Sequence, residues 1–254
     1  MDNIRNSAML NQINKYLSAT FLLLFLATAQ VVAQSSKGIY HVTANAAADG
    51  DGSSWQSPMT LANALAKASA GEEVWVKGYS KLTDDSVYHA PTDGFLLRSG
   101  VKLYGGLRGD EQSSAEAASP SSSRNRYDMQ YQSVLLADSR MNNDSVPANY
   151  IIFPENPTRA DNARHCLVMN LGVSDEHKND ACLSTVVCGM VFAGGNASGK
   201  EDSDDGHGGG LLIINRSSRS DDGNASKRSY DVSQCYFVNN YAARGGAIYV
   251  DPSV

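Results

Sequence analysis

The sequence predicts an all-β chain built as a solenoid, and the prediction begins with residues 235–250. Apolar and polar positions alternate there with a period of two, which is typical of short strands. Asn239-Asn240 ends the first run and Gly245-Gly246 precedes the second. Asn and Gly both tolerate the left-handed backbone that tight turns require. The segment therefore predicts two short strands joined by a turn.

The second observation is that this pattern occurs twice. Residues 192–197 match residues 237–242 at an offset of 45 residues (237 − 192), and residues 208–213 are the counterpart of residues 245–248. The polar segment 198–207 is inserted between the two halves of the earlier copy. A repeat of this size holds about two coils of ~20–25 residues, and stacked coils of a solenoid bury their apolar faces on each other.

Composition is the third observation and limits the class of function. The chain has 254 residues, 22 Gly but only 7 Pro, and a formal charge of −6. Short apolar runs separated by Gly are typical of all-β solenoids and sandwiches. The length suffices for a sizeable core in one or two domains. A mildly acidic chain without a Lys/Arg run argues against a nucleic-acid partner.

Two motifs resemble known families. The phrase F-x-x-N … G-G-A-I, formed by Phe237, Asn240 and residues 245–248, resembles the repeat of the bacterial polymorphic outer membrane proteins. The earlier copy departs from it, because Gly195 stands where Asn240 would stand and Leu211-Leu212 replaces Ala-Ile. That family consists mainly of adhesin-like surface proteins. The resemblance implies a right-handed parallel β-helix.

The N-terminal half carries the second resemblance. Residues 52–65, 71–78 and 99–111 are similar, in this order, to the opening of secreted bacterial pectate-lyase-like β-helix proteins. In that group a strand and a short amphipathic helix cap the start of the solenoid. We therefore expect an all-β, right-handed parallel β-helix with a short N-terminal capping helix, running from about Val74 onward.

Residues 1–33 have the pattern of a cleaved signal peptide. Arg5 and Lys15 precede the apolar segment 17–29, and residues 31–33 (Val-Val-Ala) offer a cleavage site before Gln34. Cleavage after residues 27–29 (Ala-Thr-Ala) is an alternative. A membrane anchor is disfavoured because the apolar run is shorter than the ~20 residues of a spanning helix. We expect an exported protein, secreted or at the cell outer membrane or surface.

The remaining elements follow from local patterns. A helix is predicted over residues 58–70, with Pro58 in its first turn and Gly71 ending it. Gly105-Gly106 is expected to end a pair of strands, residues 111–132 are expected to form an exposed loop, and residues 142–161 are expected to form a further loop. The predicted strands are residues 39–43, 72–76, 95–97, 101–104, 133–137, 165–169 and 184–188.

These elements suggest a division of the chain. Residues 34–110 would form the N-terminal cap and first coils, residues 111–164 loop-rich coils, and residues 165–254 the β-helix repeats. A solenoid needs a polar end cap. None is visible after residue 250, so we expect an N-terminal fragment of a longer protein, whose missing C-terminal part would hold any module for outer-membrane attachment.

The strongest candidate for chemistry is the acidic segment 201–207. Asp202, Asp204, Asp205 and His207 could hold calcium, the ion that polysaccharide lyases of the resembled fold use. The alternative is a solvated insertion loop, which we favour because a charge run usually forms a solvated face. Residues 217–222 are interpreted in the same way. Asp49-Gly50-Asp51-Gly52 is predicted to be a turn rather than a calcium loop.

The four cysteines allow two interpretations. Cys166, Cys182, Cys188 and Cys235 could form disulfides in an exported chain, or they could be buried thiols. Cys235 lies on the predicted inward face of its strand with Phe237, which favours a buried thiol there. Arg244 is predicted to be exposed. Four Asn-x-Ser sequons, at Asn143, Asn196, Asn215 and Asn224, are interpreted as turn residues rather than glycosylation sites.

Two functions remain. The first is an exported, non-enzymatic, adhesin-like β-helix protein that binds host or matrix protein or glycan. The second is a calcium-dependent polysaccharide lyase, or another carbohydrate-active enzyme, on the same fold. Fold alone does not choose between them. No acid–base pair stands out, so we favour the first and assign no catalytic, cofactor-binding or metal-binding residue. A row of Asp, Lys and Arg on the sheet exterior, within one groove, would favour the second.

Overall fold

The architecture is taken from a computed structural model, which describes residues 38–47, 49–118, 130–139, 156–172, 184–216 and 229–254. Within these ranges the chain is mostly β, with few helical turns. The α-helices are α1 (Leu61–Lys67) and α2 (Ser114–Ala118). The strands are β1 (Ile39–Val42), β2 (Glu73–Lys77), β3 (Tyr88–His89), β4 (Phe95–Arg98), β5 (Lys102–Leu107), β6 (Ser133–Leu136), β7 (Leu167–Asn170), β8 (Thr185–Cys188), β9 (Met190–Ala193), β10 (Asn196–Ala197), β11 (Leu211–Ile214), β12 (Tyr230–Ser233), β13 (Tyr236–Val238), β14 (Tyr241–Ala242) and β15 (Ile248–Val250).

These strands form three main parallel sheets. The first sheet has the order β1-β2-β5-β8-β12, the second β3-β6-β9-β13, and the third β4-β7-β11-β15. A short pair, β10-β14, is also parallel. The chain visits the first, second and third sheets in that order four times, and we call these visits passes one (β2–β4), two (β5–β7), three (β8–β11) and four (β12–β15). Strands of neighbouring passes pair side by side in every main sheet.

The pairing register confirms the repeat predicted from the sequence. Phe192 of β9 lies opposite Phe237 of β13, at the predicted offset of 45 residues. Leu211 of β11 lies opposite Ile248 of β15, one residue away from the match predicted from the sequence, in which Leu211-Leu212 replaced Ala247-Ile248. The two phenylalanine rings stack with centroids 4.7 Å apart and an interplanar angle of 7°.

Side chains on one face of every main sheet share a single core. Phe192 is fully buried within it, and Phe237 packs against it while remaining half-buried. Alternation along each strand places every second side chain in this core, as expected for a pleated strand. The strands contribute, among others, Val42, Val74, Val76, Leu97, Leu103, Leu135, Leu167, Met169, Val187, Met190, Leu211 and Ile213.

Helix α1, which was predicted over residues 58–70, is shorter than predicted. It begins after Thr60, whose hydroxyl accepts a hydrogen bond from the backbone N–H of Asn63 at 3.3 Å, a standard N-cap. Pro58 therefore lies outside the helix. Ala68 is already extended, so the helix ends before Gly71. Leu61, together with Ala64 and Leu65, is buried, and α1 packs against strands β1, β2 and β4.

Two other local predictions were wrong. Gly105-Gly106 does not end a strand pair, because β5 continues through both glycines to Leu107. A Cβ at Gly105 would overlap Sδ of Met190, so glycine is required here by the close approach of pass three. The segment after β5 is not simply an exposed loop, since Glu111 is 2% exposed and α2 buries Ala117.

Several predicted features lie outside the described residues. These are the signal peptide 1–33, residues 119–129 and 142–155 of the two predicted loops, the polar run 217–222, Cys182, and the sequons at Asn143 and Asn224. Among the residues that the structure does describe, no helix has the length and apolar character needed to span a membrane.

Candidate functional site

The acidic segment connects β10 to β11 in pass three and folds back on itself. The backbone N–H of Gly199 donates to Asp205 O at 2.9 Å, and that of His207 donates to Asp204 O at 3.0 Å. Residues 198–202 are exposed at the tip of this connection, whereas Gly206 and His207 are buried at its base. The segment is therefore a defined loop with an exposed tip.

Arginines from other parts of the chain hold the loop. Arg244 of pass four contacts Glu201 Oε1 through Nη2 at 2.9 Å, and Arg164 of pass two lies 3.4 Å from Asp205 Oδ1. Arg216 pairs with Asp204. The loop of pass three is thus bonded to the passes on both sides of it. The exposed tip agrees with the predicted solvated insertion loop, but the carboxylates of Glu201, Asp204 and Asp205 pair with arginines, which the prediction did not include. The predicted exposure of Arg244 is confirmed.

Arg164 also reaches the first pass. Its Nη1 lies 2.6 Å from Asp93 Oδ1, so Asp93, Arg164 and Asp205 form a chain of alternating charge across three passes. The side chains of Arg164 and Asp93 are 45% and 75% exposed. Exposed pairs of this kind contribute little individually, roughly 0–1 kcal/mol, but a network fixes geometry.

His207 closes the base of the loop rather than facing solvent. It is 7% exposed, and its Nε2 lies 2.6 Å from the carbonyl oxygen of Glu201, so Nε2–H donates to that oxygen. The Nδ1 atom is buried and has no hydrogen-bond partner within the described part of the chain. The ring stacks on Tyr249 of pass four with centroids 4.0 Å apart. His207 is therefore a packing residue that joins the loop to pass four.

The arrangement does not resemble a metal site. Among the described residues, no group of three or more His, Cys, Asp or Glu side chains could hold a metal ion. Asp204 and Asp205 each face an arginine, which competes with a cation for the same carboxylate oxygens. Asp202 lies at the exposed tip. The sequence did not reveal Arg164 and Arg216 as partners of this loop. Successive passes differ in length, so residues that lie side by side have no constant separation along the sequence.

Charged residues also lie on the outer face of the first sheet. Register places Ile39, Glu73, Lys102, Val186 and Asp231 in one column across it. Glu73 Oε1 lies 3.4 Å from Lys102 Nζ, and Glu73 Oε2 accepts from Trp75 Nε1 at 3.0 Å. Val186 separates this pair from Asp231. The column is one ion pair and a distant carboxylate, not a continuous row of Asp, Lys and Arg.

The turn predicted at residues 49–52 is confirmed in its described part. Asp51 Oδ1 accepts from the backbone N–H and the hydroxyl of Ser53 at 2.9 and 2.7 Å. These hydrogen bonds lower the pKa of Asp51 to about 2. Gly52 adopts the left-handed backbone with φ +75°. The carboxylate stabilises its own turn, which is the usual role of Asp in such positions.

The described cysteines are free thiols. Cys166 is fully buried, and burial raises its pKa to about 12. Cys235 packs against the main core, as its strand pattern predicts. Cys188 instead lies on the outer side of the first sheet, packed with Trp75 and Tyr104.

Two sequon asparagines can be placed. Asn196 Nδ2 donates to the carbonyl oxygen of Arg159 at 2.8 Å, and Asn215 Nδ2 donates to Ser253 O at 3.1 Å. Both side-chain amides therefore have a structural use in the connections between strands.

Comparison of the chain with models of protein families, with curated proteins and with solved structures found no match. Its function has to be inferred from the contacts described above and from the sequence motifs.

Proposed function

We propose that the four passes form one right-handed parallel β-helix, with α1 as its N-terminal cap. The repeated order of the three sheets and the parallel pairing between successive passes support this architecture. Parallel crossover connections are right-handed in nearly all proteins. An experimental structure of the full chain tests the proposal, and a left-handed path or a layered packing of the sheets would contradict it.

We propose that the protein is an exported, non-enzymatic, adhesin-like scaffold that binds an extracellular protein or glycan. The observation that carries this proposal is the loop 198–207. Its exposed tip is held by Arg244 through Glu201, and its base is held by Arg164, Arg216 and buried His207. Recognition residues are commonly found on loops that a rigid scaffold positions. A tip fixed to two neighbouring passes meets that description.

The chemistry of the tip suits a polar partner. Lys200 and Asp202 are exposed there and form no ion pair with another described residue, whereas Glu201 pairs with Arg244. A cation and an anion presented side by side can bind complementary charges or hydroxyl groups of a protein or a glycan. Export to the surface is the companion proposal, supported by residues 1–33, and N-terminal sequencing of the exported form should start near Gln34.

The binding proposal is tested with the full exported protein on arrays of extracellular-matrix proteins and glycans. A double variant at the tip, Lys200→Ala with Asp202→Ala, should lose binding while keeping its thermal stability. The matched control is Lys81→Ala with Asp85→Ala, which removes one exposed cation and one exposed anion elsewhere. Equal binding by both variants would contradict a role for the tip.

The same preparation tests the alternative enzyme. Calcium titration by calorimetry and a lyase assay on acidic polysaccharides are carried out on the wild type and on Asp204→Ala. We expect neither tight calcium binding nor unsaturated product, since Asp204 pairs with Arg216. Calcium-dependent product that disappears in Asp204→Ala would replace the adhesin proposal with the lyase.

A further inference from the structure

The main core is covered differently on its two sides. On the side of pass one, α1 packs against β1, β2 and β4 and contributes Leu61, Ala64 and Leu65 to the core. Core side chains of pass one, such as Val74 and Leu97, are fully buried there. On the other side lies pass four, whose strands β12, β13 and β15 are the last strands of the three main sheets among the described residues.

The apolar side chains of pass four are partly open to solvent. Ile248 and Val250 have buried register partners in β11, yet both are themselves exposed. The ring of Phe237 stacks on pass three with one face and is half-buried. Val232 and Cys235 also pack against the core while remaining half-buried. These five side chains form an apolar surface on pass four, here called the open end.

The strand edges around the open end lack the usual protection. Edge strands of soluble proteins commonly carry Lys, other charged residues or Pro, which prevent pairing with another chain. Strands β12 to β15 contain no Lys or Pro, and their one charged residue is Asp231. Asp231 lies in the column of Lys102 and Val186 on the outer face of the first sheet, away from the core. An unprotected edge beside an exposed apolar patch is typical of an interaction surface.

The interface between passes three and four shows what such a surface binds. Parallel strand pairs join the two passes in all three main sheets, and two phenylalanine rings stack across the interface. Backbone edges and apolar side chains therefore hold one pass on the next, as in other stacked repeats. The open end continues this interface with the same two features. Its partner has to offer strand edges and apolar side chains as well.

A further pass of the same sequence does not fit on pass four in the same register. Gly210 is the register equivalent of Ala247, and a Cβ at Gly210 would lie 2.6 Å from Ala247 O and 2.8 Å from Phe237 Cδ1. Ala247 carries this Cβ atom, so it would make the same close contacts with an identical pass stacked in parallel on pass four. The partner strands therefore have to approach in another direction.

We propose that the open end is the interface of a symmetric dimer, in which a second copy of this chain binds face to face. The second open end offers unprotected strand edges and apolar side chains of the same extent. Two copies that face each other are reversed, so their edge strands run antiparallel, a pairing at least as stable as the parallel one. A two-fold interface uses the same surface on both chains and closes at two copies.

The dimer goes beyond the proposed binding function and does not depend on it. Loop 198–207 belongs to pass three, so a dimer would carry two exposed tips. Two tips in one assembly raise the avidity for a partner surface with repeated sites. In dilute solution the chain is a monomer, in which Phe237 is less covered than Phe192.

The mass of the exported chain in solution tests the dimer. Sedimentation equilibrium over a range of protein concentrations should show a monomer that becomes a dimer, with no larger species. Val250→Lys places a charge in the open end and should raise the dissociation constant by about tenfold or more, since a buried, unpaired charge is costly. The matched control is Leu96→Lys, because Leu96 is 47% exposed, compared with 41% for Val250, and lies in the same sheet in pass one. This control should dimerise like the wild type.

Hydrogen exchange of the wild type decides the matter even if Val250→Lys does not fold. Backbone amides of β13 and β15 should exchange more slowly as the protein concentration rises, whereas those of β9 and β11, which are paired on both sides, should not change. A monomer at every concentration, with exchange in β13 and β15 independent of concentration, would overturn the proposal in favour of a strand from another protein. A dimer lost in Leu96→Lys but kept in Val250→Lys would place the interface elsewhere. Growth into larger oligomers would contradict the two-fold arrangement.

Discussion

The two copies of the repeat adopt the same backbone pairing but differ in burial. In pass three, Phe192 and Leu211 are fully buried and Ile213 is 1% exposed. Their register partners in pass four are Phe237, which is half-buried, and Ile248 and Val250, which are 37% and 41% exposed. Pass three has paired strands on both sides, whereas pass four pairs with pass three alone among the described residues.

This difference indicates that the repeat pattern determines the backbone conformation of each copy. The stacking of neighbouring passes determines how much each residue stabilises the fold. Asn240 shows the link between them. Its Nδ2 donates to Phe192 O at 2.9 Å and its Oδ1 accepts from the N–H of Gly195 at 2.8 Å, so the Asn of copy two satisfies backbone groups of copy one. The motif Phe-x-x-Asn thus acts on the neighbouring pass.

The largest expected effect tests this difference directly. Phe192→Ala should lower the free energy of unfolding by about 3–5 kcal/mol, because a fully buried ring is replaced by a cavity. Phe237→Ala should cost clearly less, since its ring is covered on one side. Chemical denaturation of both variants measures the two values. Equal losses would show that pass four is covered in solution as fully as pass three.

The next largest loss of stability is expected at a glycine that is present in one copy of the repeat and replaced by alanine in the other. The counterpart of Gly210 in copy two is Ala247, and a Cβ at Gly210 would lie 2.6 Å from Ala247 O and 2.8 Å from the ring of Phe237. Gly210→Ala should therefore cost about 1–3 kcal/mol. The matched control is Gly246→Ala, whose Cβ would have its nearest neighbour at 3.3 Å. Thermal melts should separate the two, and a larger loss in the control would contradict the stacking argument.

Removal of the Asn240 side chain should lower the free energy of unfolding by a similar amount. Asn240→Ala leaves Phe192 O and the N–H of Gly195 without this partner, which should cost about 1–3 kcal/mol. Asn240→Asp is the informative companion, because it keeps the acceptor for Gly195 but removes the donor to Phe192. Amide hydrogen exchange at Gly195 should accelerate in the alanine variant and stay slow in the aspartate variant.

The smallest expected effect concerns the ion pair that joins the two copies at the surface. Arg244→Ala should cost at most about 1 kcal/mol, because its side chain is 54% exposed and that of Glu201 is 68% exposed. A double-mutant cycle with Glu201→Ala measures the coupling, which should shrink in high salt. A coupling energy between Arg244 and Glu201 larger than that between Phe192 and Phe237 would contradict the order of effects expected from burial.

Much of the turn chemistry could be predicted because it is local. Asn239 and Gly245 adopt the left-handed backbone, with φ of 53° and 64°, as residues able to do so were expected to. The position of the helix could be predicted, but its first and last residues could not. Thr60 and Pro58 both suit a helix start, and only packing against the sheets selects Thr60. The acidic loop was found, but its arginine partners were not.

The sequence by itself determined the β class, the two copies of the repeat and the pairing of Phe192 with Phe237, because alternation, Asn turns and Gly pairs act over a few residues. The pairing of the Gly-rich segments was predicted one residue away from the observed register. The tertiary structure decided which residues are buried and which charges meet. Arg164 meets Asp93 and Asp205, and Trp55 meets His41 and Trp75, only after connections of unequal length bring the passes side by side. Such contacts depend on the summed lengths of the loops, and no local pattern encodes them.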